Sequence, residues 1–577
     1  MSKLSLVVPL TRSALLAGVL IAACEPGPAE YADLVLTGGK VVTVDDALPE
    51  AEALAVTGYT ITAVGTKEEI AGHVGPSTEV VELDGRLVIP GFIEGHGHYM
   101  ALGESKLTLD LNSAASWEDI VQMVADAATQ AAPGEWILGR GWHQEKWTAT
   151  PEGSVEGVPV HASLSAVSPE NPVDLEHSSG HAAFANALAM ELAGIDDDTP
   201  DPPGGTIVRD ASGAATGLMR ETAQRLVGAA RARSEAERSA EDLDAEFRRE
   251  VELAGAESLM YGVTTFHDAG SSFETIDRLR ALAEEGALPI RLYVMVRGAS
   301  NEEMDEKLAD YRTIPEGNDF LAVRSIKRQI DGALGSHGAW LLGSYADMDT
   351  EGLVLETVED ITGTAEVAIR HGFQVNTHAI GDRANREVLD IYEKIFAANP
   401  DATDLRWRIE HAQHLHPDDV GRFAELDVVA AMQGVHATSD GPWLADRLGQ
   451  LRMMETSYVW RDVLDAGVVI ANGTDVPVEH ISPIASFYSS VSRRMNNGEV
   501  LSGQHRMTRE EALESYTINN AYAAFEEHLK GSLTPGKLAD IVVLSQDIMT
   551  IPEDDIPATE VVYTIVGGEV RYSGPEG

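Results

Sequence analysis

Apolar positions along this chain follow two periods. Between residues 32 and 89 they come in short β-branched runs broken by Gly-rich turns, as in "DLVLTGGKVVTV" and "ALAVTGYTITAVG". That pattern reads as strands and hairpins. The C-terminal end has the same character, in "KLADIVVLSQD" and "EVVYTIVGGEVRY". Two β-rich ends separated by a long middle are expected to pair into one small sheet domain, with residues 24–89 and 530–577 as its two parts.

The middle alternates strand and helix signals. The strand candidates are "LVIPGFIEGHGH", "GVTTFHDAG", "IRLYVMVRG", "VRSIKRQIDG", "FQVNTHAIGD", "RWRIEHAQHL", "VVAAMQGVHA" and "VVIANGTDVPVEH". Amphipathic stretches lie between them. In "SAEDLDAEFRREVELAGAESLMYG", Leu243, Phe247, Val251 and Ala254 recur at helical spacing. Eight strands alternating with helices predict an α/β fold, a (β/α)8 TIM-like barrel over residues 90–529. A long extra region, about 100–240, separates the first two strands. We read it as an insertion over the barrel mouth that helps shape a substrate pocket.

Charge narrows the class of partner. The 577 residues carry 93 acidic and 42 basic side chains, a formal net charge of -51. The acids are spread along the chain, which describes a solvated acidic surface. Such a surface repels phosphate backbones and argues against nucleic acid as a partner. The expected partner is a small-molecule substrate.

The chain holds one cysteine, and its position is informative. In "MSKLSLVVPLTRSALLAGVLIAAC", Lys3 and Arg12 precede an uncharged stretch, Ser13 to Ala23, that ends in small residues. This is a secretory signal pattern, residues 1–23, too short to span a bilayer as a helix. "IAAC" resembles a bacterial lipobox, with Cys24 as the lipidated first residue of the mature chain. The expectation is a lipoprotein of the bacterial cell envelope, facing the periplasm or the outer surface and anchored to the membrane through Cys24. "EPGPAEYAD" would be its tether, and the lack of Asp after Cys24 points outward.

The polar residues at the strand ends carry the chemistry. On a strand, residues i and i+2 share a face, so His96 and His98 project together. Two imidazoles on one face form part of a nest for a divalent metal. Lys327 lies in the fourth candidate strand, His378 ends the fifth, His411 ends the sixth and Asp475 follows the eighth. Alone, each has a plain alternative. A single histidine is more often structural, an Asp after Thr-Gly is usually a turn or cap residue, and a protonated lysine cannot bind a cation. Lys327 becomes a ligand only when deprotonated or converted by CO2 to a carbamate. Together, these groups fall in barrel order at the strand ends where barrel enzymes place their active groups. Arg328 should face the helices, and nothing in the sequence accounts for a charge there.

At these residues the chain resembles the metal-dependent amidohydrolase superfamily, and within it the amidohydrolase 3 group, related to N-substituted formamide deformylase. The matching stretches are "LVIPGFIEGHGH", "SSGHAAFAN", "DPPGGTIVRDASGAATGLMRE", "GVTTFHDAG", "IKRQIDGALGS", "NTHAIGDRA", "EHAQ", "NGTDVPV" and "GSLTPGKLADIVVL". The resemblance implies a TIM-like barrel with a small composite β-sandwich built from both chain ends. It implies His96 and His98 as a first metal pair, Lys327 as a carboxylated bridge between two metals, and His378 and His411 as second-metal ligands. Asp475 would bind metal and move a proton, and His181 would lie near the substrate. The cofactor implied is a divalent metal, one or two ions, with Zn first in line. Three departures flank the pocket: Glu94 where the family often has Asp, "SSGHAAF" for "DGHAAW", and His337-Gly338 for Arg-Thr.

The activity so implied is hydrolysis of a non-peptide C–N bond, an amide or cyclic amide, by a metal-activated water, with Asp475 as general acid–base. The same site chemistry permits ester, lactone or phosphoester hydrolysis. A membrane-anchored binding lipoprotein with a closed structural metal site is the alternative of another class. Trp142 and His267 are candidate pocket residues, as are Trp147 and His143. Packing of the inserted lobe explains the tryptophans equally well. Glu410 is a candidate support for its neighbouring histidine.

Overall fold

The structure is a computed structural model that describes residues 31–144, 147–151, 153–155, 157–177, 182–203, 205–236 and 238–575. Cys24, the signal segment and His181 lie outside the described residues. No helix among the described residues is long and apolar enough to cross a membrane.

Eight parallel strands form the barrel and pair in chain order: Phe92–Gly97, Val263–Ser271, Arg291–Val296, Leu321–Gln329, Gln374–Ala379, Arg408–His411, Val429–Gln433 and Ile470–Gly473. All eight fall on the expected segments. They are buried almost throughout, as strands covered by helices outside and filled inside must be. Barrel helices follow the strands. In Ala240–Met260, Ser239 caps the first turn by accepting from the Asp242 amide. Phe247, Val251 and Ala254 are buried there, while Leu243 stays exposed.

The first and eighth strands are not joined by a regular ladder. They are closed at the seam by a few specific bonds. The Asp475 amide donates to the His96 carbonyl at 2.7 Å, and the His98 amide donates to the Val476 carbonyl at 2.7 Å. Asn520 Nδ2 donates to the carbonyls of Ile93 and Asn472, at 2.6 and 2.8 Å. Glu94 accepts from the Thr474 amide at 2.6 Å and from its hydroxyl at 3.1 Å. Gly95 and Gly473 let the strands approach: a Cβ at Gly473 would lie 2.5 Å from the His96 amide nitrogen, and one at Gly95 would lie 2.5 Å from the Asn472 carbonyl. The seam therefore runs between the strand that carries His96 and His98 and the strand that ends at Asp475.

The run "LVIPGFIEGHGH", expected as one strand, is two. Leu87–Pro90 belongs to the small sheet and Phe92–Gly97 to the barrel. Gly91 makes the crossing, where a Cβ would strike the Thr264 side chain. The small composite β-sandwich domain takes five strands from the N-terminal side, Leu34–Val42 to Leu87–Pro90, and three from the C-terminal side, Ile541–Leu544, Val561–Val566 and Glu569–Ser573. Leu87–Pro90 joins the halves, pairing with Ile541–Leu544 on one edge and with Leu34–Val42 on the other. Arg291 at the base of the barrel ties the two domains together, gripping Asp540 with bonds of 2.8 and 3.1 Å.

The insertion is a folded lobe with a six-stranded sheet and its own core of Trp117, Trp142, Trp147, Leu175 and Phe184. It follows the helix Tyr99–Leu107, which lies close along Ala240–Met260. Tyr99 donates to the Val251 carbonyl at 2.8 Å, and a Cβ at Gly103 would meet the Glu250 carbonyl at 2.2 Å. Arg328 does face the helices, and it is satisfied there. Its guanidinium donates to Thr364 Oγ1 at 2.7 Å and Asn301 Oδ1 at 3.0 Å, with Glu356 at 3.7 Å.

Candidate metal centre

His96 lies near the end of the first barrel strand and His98 just beyond it, capping the helix Tyr99–Leu107. Their ring centroids are 5.9 Å apart. Asp475 arrives from the eighth strand across the seam. Its Oδ1 is 3.2 Å from His98 Nε2 and 3.5 Å from His96 Nε2. These three ligand atoms lie within 4.8 Å of one another. Lys327 Nζ sits 3.2 Å from His96 Nε2. The His411 ring is 4.8 Å from His96 and 4.3 Å from His378. All six residues expected from the sequence thus converge on one centre at the C-terminal mouth of the barrel.

The rings are held from behind. His96 Nδ1–H donates to Glu410, which is clamped by Arg408 through bonds of 2.6 and 2.9 Å. Arg408 also donates to the Gly95 carbonyl at 2.7 Å and contacts His267 Nδ1 at 3.2 Å. His411 Nδ1–H donates to Gln433 Oε1 at 2.8 Å. Both imidazoles therefore present a bare Nε2 to the centre, an arrangement suited to metal ligation. His378 Nε2 is 3.6 Å from Asp331, whose carboxylate accepts the amides of Trp340, Ile380 and Gly381 at 2.8–3.0 Å. The backbone at His411, Ala412 and Asp475 is left-handed, with φ of 73°, 40° and 60°. Non-glycine residues adopt that conformation at a cost of order 1–3 kcal/mol each, and such strain concentrates at functional sites.

Burial sets the protonation states. It lowers His96 to about 4, with the Lys327 charge adding to the effect against the pull of Glu410. His378 and His411 fall well below the usual histidine value, through burial and then the neighbouring Lys327 and His378 respectively. Lys327 is lowered by burial to about 8, although Glu410 and Asp475 favour its charge. Burial would raise Asp475, but the His98 imidazole and the His96, His411 and His436 rings outweigh it and hold the carboxyl well below the usual range. At neutral pH His96, His378 and His411 are neutral, Asp475 is a carboxylate and Lys327 still carries most of its proton. His378 Nε2 and Asp475 Oδ1 are buried and have no hydrogen-bond partner among the described residues. Unpartnered acceptors beside a nitrogen and oxygen donor set fit a divalent transition metal.

The other expected residues lie elsewhere. Trp142 is 1% exposed in the core of the inserted lobe, its Nε1 donating to the Leu175 carbonyl at 2.8 Å. It presents no surface to a pocket, so its place is packing, as is that of the buried Trp147. His143 lies against His177 in the same lobe, ring centroids 4.7 Å apart. His267 is fully buried on the second strand, between Arg408 and Tyr293. It packs inside the barrel rather than lining a pocket. His337 contacts Asp347 at 3.1 Å. Arg408, Gln433 and Asp331 were not anticipated as parts of the site; Glu94, expected to flank the pocket, closes the seam beside it. Arg408 and Glu410 alternate with Trp407 and Ile409, and that period of two placed them on the inner face of the barrel.

Comparison with known proteins adds an independent line. The model of the amidohydrolase family matches residues 79–572. Protein LONG AFTER FAR-RED 3 of Arabidopsis thaliana is 35% identical over 94% of this chain and 92% of its own length. N-substituted formamide deformylase of Arthrobacter pascens is 28% identical over 94% of this chain and 98% of its own length. The crystal structure of an uncharacterized metal-dependent hydrolase from Pyrococcus horikoshii superposes with a TM-score of 0.71 at 26% identity, covering 90% of this chain and 99% of that one.

Proposed function

Since the chain belongs to the amidohydrolase family of metal-dependent hydrolases, we propose that it is a zinc enzyme that cleaves a non-peptide C–N bond, an amide or a cyclic amide, in a small molecule. The observation that carries this reading is the pair of buried, unpartnered atoms, Asp475 Oδ1 and His378 Nε2, beside His96, His378 and His411, which burial keeps neutral. A zinc ion bound there supplies a Lewis acid, lowering the pKa of water towards about 7 and polarising a carbonyl. His96, His98 and Asp475 would hold one ion. Lys327, as its carbamate, with His378 and His411 would serve a second.

Asp475 is the proton carrier. Its carboxylate is ionised at neutral pH, so it accepts a proton from the attacking water as the water oxygen bonds to the carbonyl carbon. It delivers that proton to the leaving nitrogen as the C–N bond breaks, giving a carboxylic acid and an amine. Glu410 and Gln433 keep His96 and His411 in the tautomer that leaves Nε2 free. The formamide deformylase relative supports an N-acyl or N-formyl substrate. The signal pattern before Cys24 supports a lipid anchor that holds the enzyme at the bacterial envelope. Radiolabelled palmitate should enter the wild-type chain and not Cys24→Ser.

The test is metal analysis paired with turnover of a panel of N-acyl and N-formyl compounds. The expected result is one or two zinc equivalents, with hydrolysis lost on chelation and restored by Zn²⁺. Asp475→Asn should keep much of its zinc and lose about 10²–10⁴-fold in turnover. A folded chain that takes up no metal and hydrolyses nothing in the panel refutes the reading.

A further inference from the structure

The seventh barrel strand sends none of the six converging residues to the centre, yet the chain just past it reaches the edge. Gln433 ends that strand and holds His411. Three residues on, in the first turn of the helix Gly434–Leu448, His436 lays its ring parallel to that of His411, with centroids 6.2 Å apart and 7° between the planes. The residue is 9% exposed. Its Nε2 is buried and has no hydrogen-bond partner among the described residues. His436 is also near enough to Asp475 to act on its charge. It stands outside the set of ligand atoms that lie within 4.8 Å of one another, which is His96, His98 and Asp475 among the described residues.

A polar atom left unpaired at a site marks a place where a ligand supplies the partner. The unpaired ring lies at the edge of the centre, against His411. His436 stands behind His411, and Asp440 follows one turn later on the same helix. Asp440 is itself fixed by Tyr458 Oη at 2.6 Å and Gln413 Nε2 at 3.0 Å, and it interacts electrostatically with His436. The first turn of the helix is pinned as well. The Gly434 amide donates to Asn472 Oδ1 at 2.9 Å and the Val435 amide to Ser486 Oγ at 3.2 Å. The ring is thus carried on a fixed backbone with a half-buried carboxylate nearby.

Building on the C–N hydrolase reading, we infer that His436 is a further catalytic residue, whose Nε2–H donates a hydrogen bond to the substrate's carbonyl oxygen as that oxygen gains negative charge. No bond of His436 forms or breaks. The donor stabilises the tetrahedral oxyanion and then releases the product carboxylate. Preorganised donors of this kind act most strongly on the transition state.

The experiment uses the zinc-loaded full chain and three variants, His436→Phe, His436→Ala and His436→Gln. Methylphosphonate is the tetrahedral probe and acetate the planar one, both measured by calorimetry beside turnover. For His436→Phe we expect unchanged zinc content, kcat down by about 10²–10³-fold, KM within about threefold, and methylphosphonate binding at least about tenfold weaker with acetate little changed. His436→Gln, which retains an N–H donor, should recover part of each loss. Should His436→Phe not fold, His436→Ala decides the same comparisons. Unchanged kcat and methylphosphonate affinity overturn the inference. So does loss of zinc, which would make His436 a ligand. If the wild type hydrolyses nothing in the amide panel, the C–N reading fails, while the methylphosphonate comparison still decides the role of His436.

Discussion

Glu410→Gln isolates what lies behind the metal cluster. Glu410 is fully buried, accepts two bonds from Arg408 and receives the His96 Nδ1–H. Glutamine keeps the shape and removes the charge. Arg408, also fully buried, is then left as an uncompensated cation. Breaking a buried pair from one side costs about 3–5 kcal/mol, and since the glutamine oxygen still accepts one bond, the lower end applies, about 3 kcal/mol. His96 also loses the anionic acceptor that raises its basicity, an effect worth about 10–100-fold in metal affinity. At about 1.4 kcal/mol per tenfold, that is about 1.4–2.8 kcal/mol.

The two losses are measured separately, by urea unfolding of the metal-free chain and by chelator competition for zinc. The pH dependence carries a sign. Burial opposes the charge on Glu410, but Arg408 and His96 win and hold its carboxyl below the usual range. A depressed carboxyl stabilises the fold above its unfolded pKa of about 4.3 and loses that contribution as pH falls through the folded value. The stability gap between wild type and variant should be full at pH 7 and pH 5 and narrow only below about pH 4.3. The double variant Arg408→Met/Glu410→Met should regain much of the stability, since buried pairs are often replaceable by apolar groups. It should not regain the zinc affinity, because His96 stays unsupported. A Glu410→Gln protein with wild-type zinc affinity and an unchanged urea midpoint would refute the reasoning.

Four further outcomes follow from the same geometry. Lys327 is lowered by burial to about 8, and carbamate formation consumes the neutral amine, so bicarbonate should activate the zinc-depleted chain on reloading more at pH 8.5 than at pH 6.5; equal activation at both would remove the carbamate. Gly473→Ala places a Cβ 2.5 Å from Glu94 Oε1 and from the His96 amide, and should spread the seam and cut turnover more than it lowers the melting temperature. Asp540→Ala strands the buried Arg291 and should cost about 3–5 kcal/mol in unfolding, with activity of the folded fraction retained. Trp142→Phe removes the bond to the Leu175 carbonyl, worth about 1 kcal/mol, and should leave kcat/KM within about twofold; a large rise in KM would return Trp142 to the pocket.

The barrel was legible because most of its parallel strands, buried on both faces, read as short apolar runs set between amphipathic helical stretches. Val429–Gln433 and Arg291–Val296 are buried at every position. The crossing at Gly91 was not legible, since two strands of different sheets abut without a polar break. Trp142 looked like chemistry because it sits beside His143, yet an indole with a carbonyl for its N–H is a sound core residue. Asp331 follows a strand in "IDG" and reads as a turn. What it does depends on amides at 340, in its own loop, and at 380 and 381, in the loop after the next strand. The six converging residues were legible by type and order. The side chains that aim them were legible only in part: Glu410 was expected to support its neighbour His411, but it holds His96, 314 residues away, and His411 is held by Gln433, which the sequence did not single out.

The inside of this barrel is built unlike an aliphatic core. Near the base, Arg291 holds Asp540, and Lys530 pairs with Glu526 at 2.9 Å while contacting Thr265 at 3.3 Å. Tyr293 donates to Gln374 at 3.0 Å and lies against His267. Above them Arg408 touches His267 and clamps Glu410, which receives His96. Polar groups therefore run from the domain junction to the cluster. The column is buried, so every charge must find its partner within it. The arrangement adds little stability over apolar packing. What it supplies is orientation: branched aliphatic side chains would fill the same volume, but none could accept a hydrogen bond from His96 Nδ1–H and turn its Nε2 to the metal. The polar interior is thus the cost of aiming the imidazoles, and it explains why the charged residues inside the strands, which look misplaced in the sequence, belong to the site.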